Sequence, residues 1–261
     1  MTAHGHITRC EDRDQRVESS TMSIESKTQY EQVFTEQLIS KLTLATFDLS
    51  WLLSKGYVIN SSLKLVGDRY RLPKVARHAV KRAACSDQSF ALRSAKRVYE
   101  ASSLQGKPVW IDGFNQLITL ERALRGDPVF RCRDGIVRDI AGVHGTYRLG
   151  QTTEEAFSYL TSMLKGLGVS QITWLFDQPV SNSGKIVEMA RKYGEAHVVR
   201  DPDIDLINAP EEVIVCSGDG VIIERARSWF NLIDTLCNSS RVDLGFSPID
   251  LSKVSQGRCD D

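Results

Sequence analysis

The fold turns on the stretch Lys107-Pro-Val-Trp-Ile-Asp-Gly-Phe-Asn115. Its centre, Val109-Trp-Ile111, is a short continuous apolar run that stops at Asp112-Gly113. Such a run fits a strand covered on both faces, as in a parallel sheet. Two later stretches end in the same way: Ile172-Thr-Trp-Leu-Phe-Asp177, and Val213-Ile-Val-Cys-Ser-Gly-Asp219. Ala196 to Val199 reads as a further strand. Helical patterns lie between them, over Phe114–Leu124, Thr152–Leu167, Ser183–Tyr193 and from Val221 towards Cys237. Thr152 with Glu155 has the spacing of a capping box. Strands that alternate with helices predict an α/β domain with a mainly parallel, Rossmann-like sheet and right-handed crossovers. Arg133-Asp-Gly135 interrupts the alternation between Val129–Cys132 and Ile136–Asp139, and Asp-Gly there predicts a hairpin with a type I′ turn.

Upstream, the pattern is helical throughout. Tyr30, Val33, Phe34, Leu38 and Leu42 recur at helical spacing in an element starting near Ser26, with Gly56 as its stop. Asn60, Ser61 and Ser62 offer N-cap oxygens to a short helix that Gly67 breaks, and Pro73 suits the first turn of the next. Ser86 or Asp87 caps a helix running from about Gln88 to Ser102. The predicted organisation is a disordered tail (1–24), a basic all-helical module (25–106), the α/β domain (107–240) and a polar tail (241–261).

The 33 basic and 33 acidic residues of this 261-residue chain balance, so net charge gives no guide to partners. Their distribution does. Lys64, Arg69, Arg71, Lys74, Arg77, Lys81, Arg82, Arg93, Lys96, Arg97 and Lys107 share a segment with only Asp68, Asp87 and Glu100 as anions. Such asymmetry points to a polyanionic partner, here nucleic acid held by Arg77, Lys81 and Arg82. Two short helices joined by a tight turn, the second rich in cations, also resemble a helix-turn-helix. The plainer alternative is a solvated helical face. The six cysteines form no C-x-x-C pair, and no secretory leader is recognisable, so free thiols and a cytoplasmic location are expected. No apolar run approaches the ~20 residues that span a bilayer, so no membrane association is expected.

Ligands of open parallel sheets bind outside the carboxyl ends of the strands. Asp112, Asp177 and Asp219 stand at three such ends. Clustered carboxylates repel one another, and a hard cation such as Mg²⁺ or Mn²⁺ relieves the repulsion. Each has a plainer role available: a helix cap at Asp112, an Asx-turn at Asp177, an N-cap at Asp219. Asn115, Ser181 and Ser217 are candidate metal, water or phosphate contacts. Asp203 and Asp205 follow the fourth strand, where a solvated loop is the simpler reading. Arg138, His144 and Arg148 lie in a polar, glycine-bearing segment whose arginines suit bidentate phosphate contact. Ser217-Gly-Asp-Gly220 is a further candidate phosphate cradle.

Asp112-Gly-Phe-Asn115, Phe-Asp177 and Ser217-Gly-Asp219 resemble the PIN-like and NYN-type ribonuclease superfamily. The resemblance implies that Asp112, Asp177 and Asp219, together with Asn115, bind a divalent metal for phosphodiester hydrolysis. Glu121 and Glu154 are candidates for that superfamily's helical acid. Leu63-Lys-Leu-Val-Gly-Asp-Arg-Tyr-Arg-Leu72 with Ala84-Cys-Ser-Asp87 is similar to an uncharacterised, largely archaeal family that joins a helical domain to a carboxyl-terminal one, over about Leu44 to Leu236. The leading expectation is a metal-dependent endoribonuclease. A non-catalytic nucleic-acid-binding protein on a nuclease-like fold comes second. A phosphatase of the haloacid-dehalogenase kind comes third, because it needs an aspartate where Phe114 stands. No G-x-G-x-x-G follows the first strand, which disfavours a dinucleotide enzyme.

Overall fold

The computed structural model describes residues 34–140, 147, 149–178, 183–240 and 243–253. The sequence positions expected as tails fall largely outside that set, as do Cys10 and Cys259. Among the described residues no helix is long and apolar enough to cross a membrane, and Cys85, Cys132, Cys216 and Cys237 are free thiols.

Four helices open the described chain: α1 (Glu36–Ser54), α2 (Ile59–Arg69), α3 (Lys74–Ala83) and α4 (Asp87–Lys96). Their shared core holds Leu42, Ala45 and Leu49 of α1, Val66 of α2, and Ala76, Ala79, Val80 and Ala83 of α3. Helix α2 starts earlier than its polar residues predict. Val58 is its N-cap, and Ser61 Oγ instead donates back to the Val58 carbonyl at 2.9 Å. Gly67 does not break the helix. A Cβ there would meet the Arg77 guanidinium at 2.6 Å, so Gly67 admits Arg77 between α2 and α3. The break falls at Arg71, which takes a left-handed φ of 51°.

The second part is built on a six-stranded, wholly parallel sheet of β1 (Arg97–Val98), β2 (Pro108–Asp112), β5 (Gln171–Asp177), β6 (Glu195–Val199), β7 (Ile214–Cys216) and β8 (Trp229–Phe230), in the order β1-β8-β7-β2-β5-β6. Strand β2 is central. The chain moves outward through β5 and β6 on one side, then returns to β7 and β8 on the other. The strand order therefore reverses at β2, which makes the carboxyl ends of β2 and β7 a topological switch point. Helices α5 (Gly113–Leu124), α6 (Gln151–Gly166), α7 (Ser183–Ala190) and α10 (Leu232–Cys237) share a core with Val109, Ile111, Trp174, Phe176 and Cys216 on one face. Helices α8 (Pro202–Ile207) and α9 (Gly220–Arg225) pack on the other, around Leu175, Val215 and Trp229.

Further boundaries differ from the sequence-based expectations. Helix α6 starts at Gln151 with Gly150 as its N-cap, and Thr153 Oγ1 accepts from Gly150 N at 3.1 Å, so the expected Thr152–Glu155 capping box is not the one that forms. The predicted helix from Gln88 stops at Lys96, and Arg97–Val98 becomes an edge strand, so the sheet begins inside the segment assigned to the helical module. The predicted helix from Val221 to Cys237 is broken in two by β8, where the buried Trp229 and Phe230 pair between β7 and β1. The carboxyl-terminal segment contributes β9 (Ile249–Asp250), which extends the hairpin of β3 (Val129–Arg131) and β4 (Val137–Asp139) into a three-stranded sheet. Leu251 then sits fully buried in the core of the helical module, beside Phe130 and Cys132. The hairpin turns as expected over Arg133-Asp-Gly135, but only Gly135 takes a positive φ, so it is a three-residue bulged turn rather than type I′.

Candidate functional site

Asp112 ends β2 and is 9 % exposed. The chain turns directly from it into α5, and Gly113 makes that turn possible. A Cβ at Gly113 would meet the Phe176 ring at 2.4 Å and the Leu175 carbonyl at 2.8 Å. The Asp112 carboxylate accepts a 2.7 Å hydrogen bond from Ser217 Oγ. Burial nevertheless pushes its pKa up to about 7; the Ser217 hydrogen bond opposes the rise, and the charges of Asp203 and Asp219 add to it.

The loop after β7 is ordered by side chains. Asp219 N donates to Ser217 Oγ at 3.0 Å, and Gly218 N donates to Asn115 Oδ1 at 2.7 Å. A Cβ at Gly218 would lie 2.8 Å from that same Asn115 oxygen, so a side chain there would have to displace it. Asp219 caps α9, its Oδ1 accepting from Val221 N at 2.7 Å and Ile222 N at 3.3 Å. Asp219 thus takes the plainer role considered for it, while its charge still raises the carboxyls of Asp112 and Asp203. Asp177, at the end of β5, is partly buried, and burial followed by the charge of Asp201 raises its pKa. Asp203 at the start of α8 is raised first by burial and then by Asp219, Asp201 and Asp177.

Asp112, Asp177 and Asp219 therefore lie at one end of the sheet, linked through Asp201 and Asp203. Sequence reasoning preferred a solvated loop for Asp203, and Asp201 was not singled out. Asp201 caps α8 by accepting from Ile204 N at 3.1 Å. The signal was in Asp201-Pro-Asp203: an N-cap, then proline at the first helical position, marks a helix starting at a strand end. Among the described residues, no three histidines, cysteines or carboxylates stand close enough to enclose one metal ion. Carboxylate oxygens are donors of the kind that hard divalent cations take.

Other expected residues have other tasks. Arg138 is buried, pairs with Asp134 through two 2.8 Å hydrogen bonds, and donates from Nε to the Gly218 carbonyl at 2.6 Å. It holds the loop from inside instead of facing a phosphate. Arg77 is spent on Asp68 Oδ1 (2.7 Å) and the Leu72 carbonyl (2.9 Å). Lys81 is exposed, as is Arg82, whose Nε reaches the Asp139 carbonyl at 3.2 Å. The exposed cationic face of α3 is thus Lys74, Lys81 and Arg82 with His78, and α3 holds no acidic residue. Glu121 is buried and accepts from the Tyr147 hydroxyl, while Glu154 is exposed and pairs with Lys192 at 3.2 Å. His144, Arg148 and Ser181 lie outside the described residues.

Fold and site together define a two-part α/β protein: a helical region packed against a parallel sheet whose switch point is acidic. Residues 101–235, more than half of the chain, match a domain of unknown function, DUF5616, and residues 41–96 match a protein family of unknown function, DUF434. An uncharacterized protein of Methanocaldococcus jannaschii is 32 % identical over 184 residues, covering 68 % of this chain and 86 % of its own length. The chain belongs to the DUF5616 family. No solved structure matches it.

Proposed function

We propose that this protein is a metal-dependent nuclease of the PIN-like, Rossmann-like kind, acting on RNA and holding it with its helical region. One observation carries the reading. Asp112 is buried at the topological switch point, and the charges that act on it most strongly, Asp203 and Asp219, are both negative. A crevice of that sign repels a phosphodiester by itself and becomes productive only with a cation. Asp112 and Asp219 would hold Mg²⁺ or Mn²⁺, with Asp177, Asp203 and Asn115 reaching it directly or through water. The cation would neutralise phosphoryl oxygens and activate a water molecule. Ser217 orients the Asp112 carboxylate, and the exposed Lys74, Lys81 and Arg82 offer cations to the phosphate backbone.

Purified protein incubated with single-stranded and structured RNA should cleave only when Mn²⁺ or Mg²⁺ is present. Asp112→Asn should slow cleavage by roughly 10²–10³-fold, the scale on which one group that stabilises transition-state charge acts. Undiminished activity in both Asp112→Asn and Asp219→Asn would sink the mechanism. A second reading, nucleic-acid binding without turnover, is favoured by the absence of a closed three-ligand group among the described residues. It predicts salt-dependent RNA binding and no cleavage with any divalent metal.

A further inference from the structure

We propose that Arg93, in the helical region, positions the Ser217–Asp219 loop through Asp134 and in concert with Arg138, so that the helical region is a working part of the crevice. The Gly218–Asp219 peptide is the point of control. Its carbonyl, that of Gly218, is held by Arg138 Nε at 2.6 Å and its N–H, that of Asp219, by Ser217 Oγ at 3.0 Å, while the N–H of the preceding peptide donates from Gly218 to Asn115 Oδ1 at 2.7 Å. Both polar groups of one peptide are thereby committed to side chains, and a rotation of that peptide breaks both bonds. The same peptide sets Ser217 against Asp112 and starts the α9 cap at Asp219.

Arg138 is itself held by Asp134, whose side chain is 1 % exposed and which also receives Arg93 Nη1. Burial alone would raise the Asp134 carboxyl, but Arg138 and then Arg93 outweigh it and hold it below the ordinary range. Arg93 continues to Glu224 of α9 with bonds of 2.9 and 2.6 Å, and a Cβ on Gly220 would touch its guanidinium at 2.5 Å. Arg93 thus grips the far side of the loop that Arg138 grips from below. Two arginines and two carboxylates balance, so no uncompensated charge is left inside. Removing Arg93 leaves Asp134 with one guanidinium instead of two and frees α9 at Glu224. The planar two-armed head is essential, because a lysine ammonium reaches one acceptor direction well but cannot bridge Asp134 and Glu224 with the same geometry.

The consequence for turnover rests on the nuclease reading; the positioning itself does not. In the full-length chain, amide hydrogen exchange measured by NMR at Gly218 and Asp219 should accelerate at least about tenfold in Arg93→Lys and Arg138→Lys, the scale of one lost buried charge-assisted hydrogen bond. The β5 amides, Ile172 to Phe176, should keep their protection and serve as the internal reference. Millimolar methylguanidine should restore slow exchange at Gly218 in Arg93→Ala. Unchanged exchange at Gly218 and Asp219, or equal acceleration there and in β5, overturns the proposal. Glu224→Gln, which keeps the shape and removes the charge, gives the same test should the arginine variants fold poorly. Where the wild-type protein cleaves RNA, the same variants should lower kcat and leave KM unchanged. If it cleaves nothing, the nuclease reading fails, and the exchange measurement still decides the role of Arg93.

Discussion

Asp112 is a residue whose ionisation works against folding. In the unfolded chain its carboxyl titrates near the usual value of about 3.9, and in the folded protein near 7. The folded state therefore holds the proton more tightly. The stability this group adds is full below about pH 4 and is lost as pH rises through 7, a change of order 4 kcal/mol at most. Asp112→Asn keeps the shape and cannot ionise. It should match the wild type near pH 4 and exceed it at pH 8, by an amount read from urea midpoints at the two values. An equal stability change at both pH values would mean that the buried charge plays no part. A residue that weakens the fold at neutral pH and sits where ligands bind is the usual mark of function over stability.

Among the local elements, the turn between α2 and α3 carries a similar cost. Arg71 occupies the left-handed region, where a residue with a Cβ pays about 1 kcal/mol relative to glycine. Arg71→Gly should therefore stabilise the protein by up to about 1 kcal/mol in denaturant unfolding, while weakening RNA binding if that exposed cation contacts the backbone. Gly113→Ala should have the opposite sign. Its methyl would strike Phe176 and the Leu175 carbonyl, and overpacking of this kind costs typically 1–3 kcal/mol. A melting temperature that did not fall would show that α5 can move away from β5.

The longer elements were legible because their apolar runs and helical stripes are local. The short ones were not. Strands β1 and β8 have two residues each, too few to display any period, and they exist because β7 and the rest of the sheet lie beside them. The site divided in the same way. Aspartates at strand ends could be read directly, since strand and carboxylate are neighbours in sequence. Arg138 and Arg77 could not, because an arginine looks equally available whether it faces water or turns inward. The partners that decide this can be remote: Arg93 reaches Asp134 across 41 residues and Glu224 across 131.

Across the whole molecule, a zero net charge conceals opposite faces. The exposed side of α3 is cationic, and the crevice at the strand ends is anionic. If α3 holds a phosphate backbone, the double variant Lys74→Glu, Lys81→Glu should abolish filter-retained RNA binding, and single variants should lower the slope of log K against log salt by about 0.7 each. Binding that survives the double variant would make the helical region a scaffold only. Leu251→Ala should destabilise by about 2–5 kcal/mol, because a fully buried leucine is removed from a core it shares with Phe130 and Cys132.

That shared core has a consequence for biosynthesis. The helices over residues 36–96 leave the ribosome before the sheet, yet the side chains that complete their interior are supplied by residues 130, 132 and 251. Amino-terminal units generally fold as they emerge. Here the helical unit lacks part of its core until nearly the whole described chain has been translated. It appears before the sheet and is sealed after it, and a polysome stalled before Leu251 would carry a nascent chain with the hydrophobic interior of these helices still unclosed.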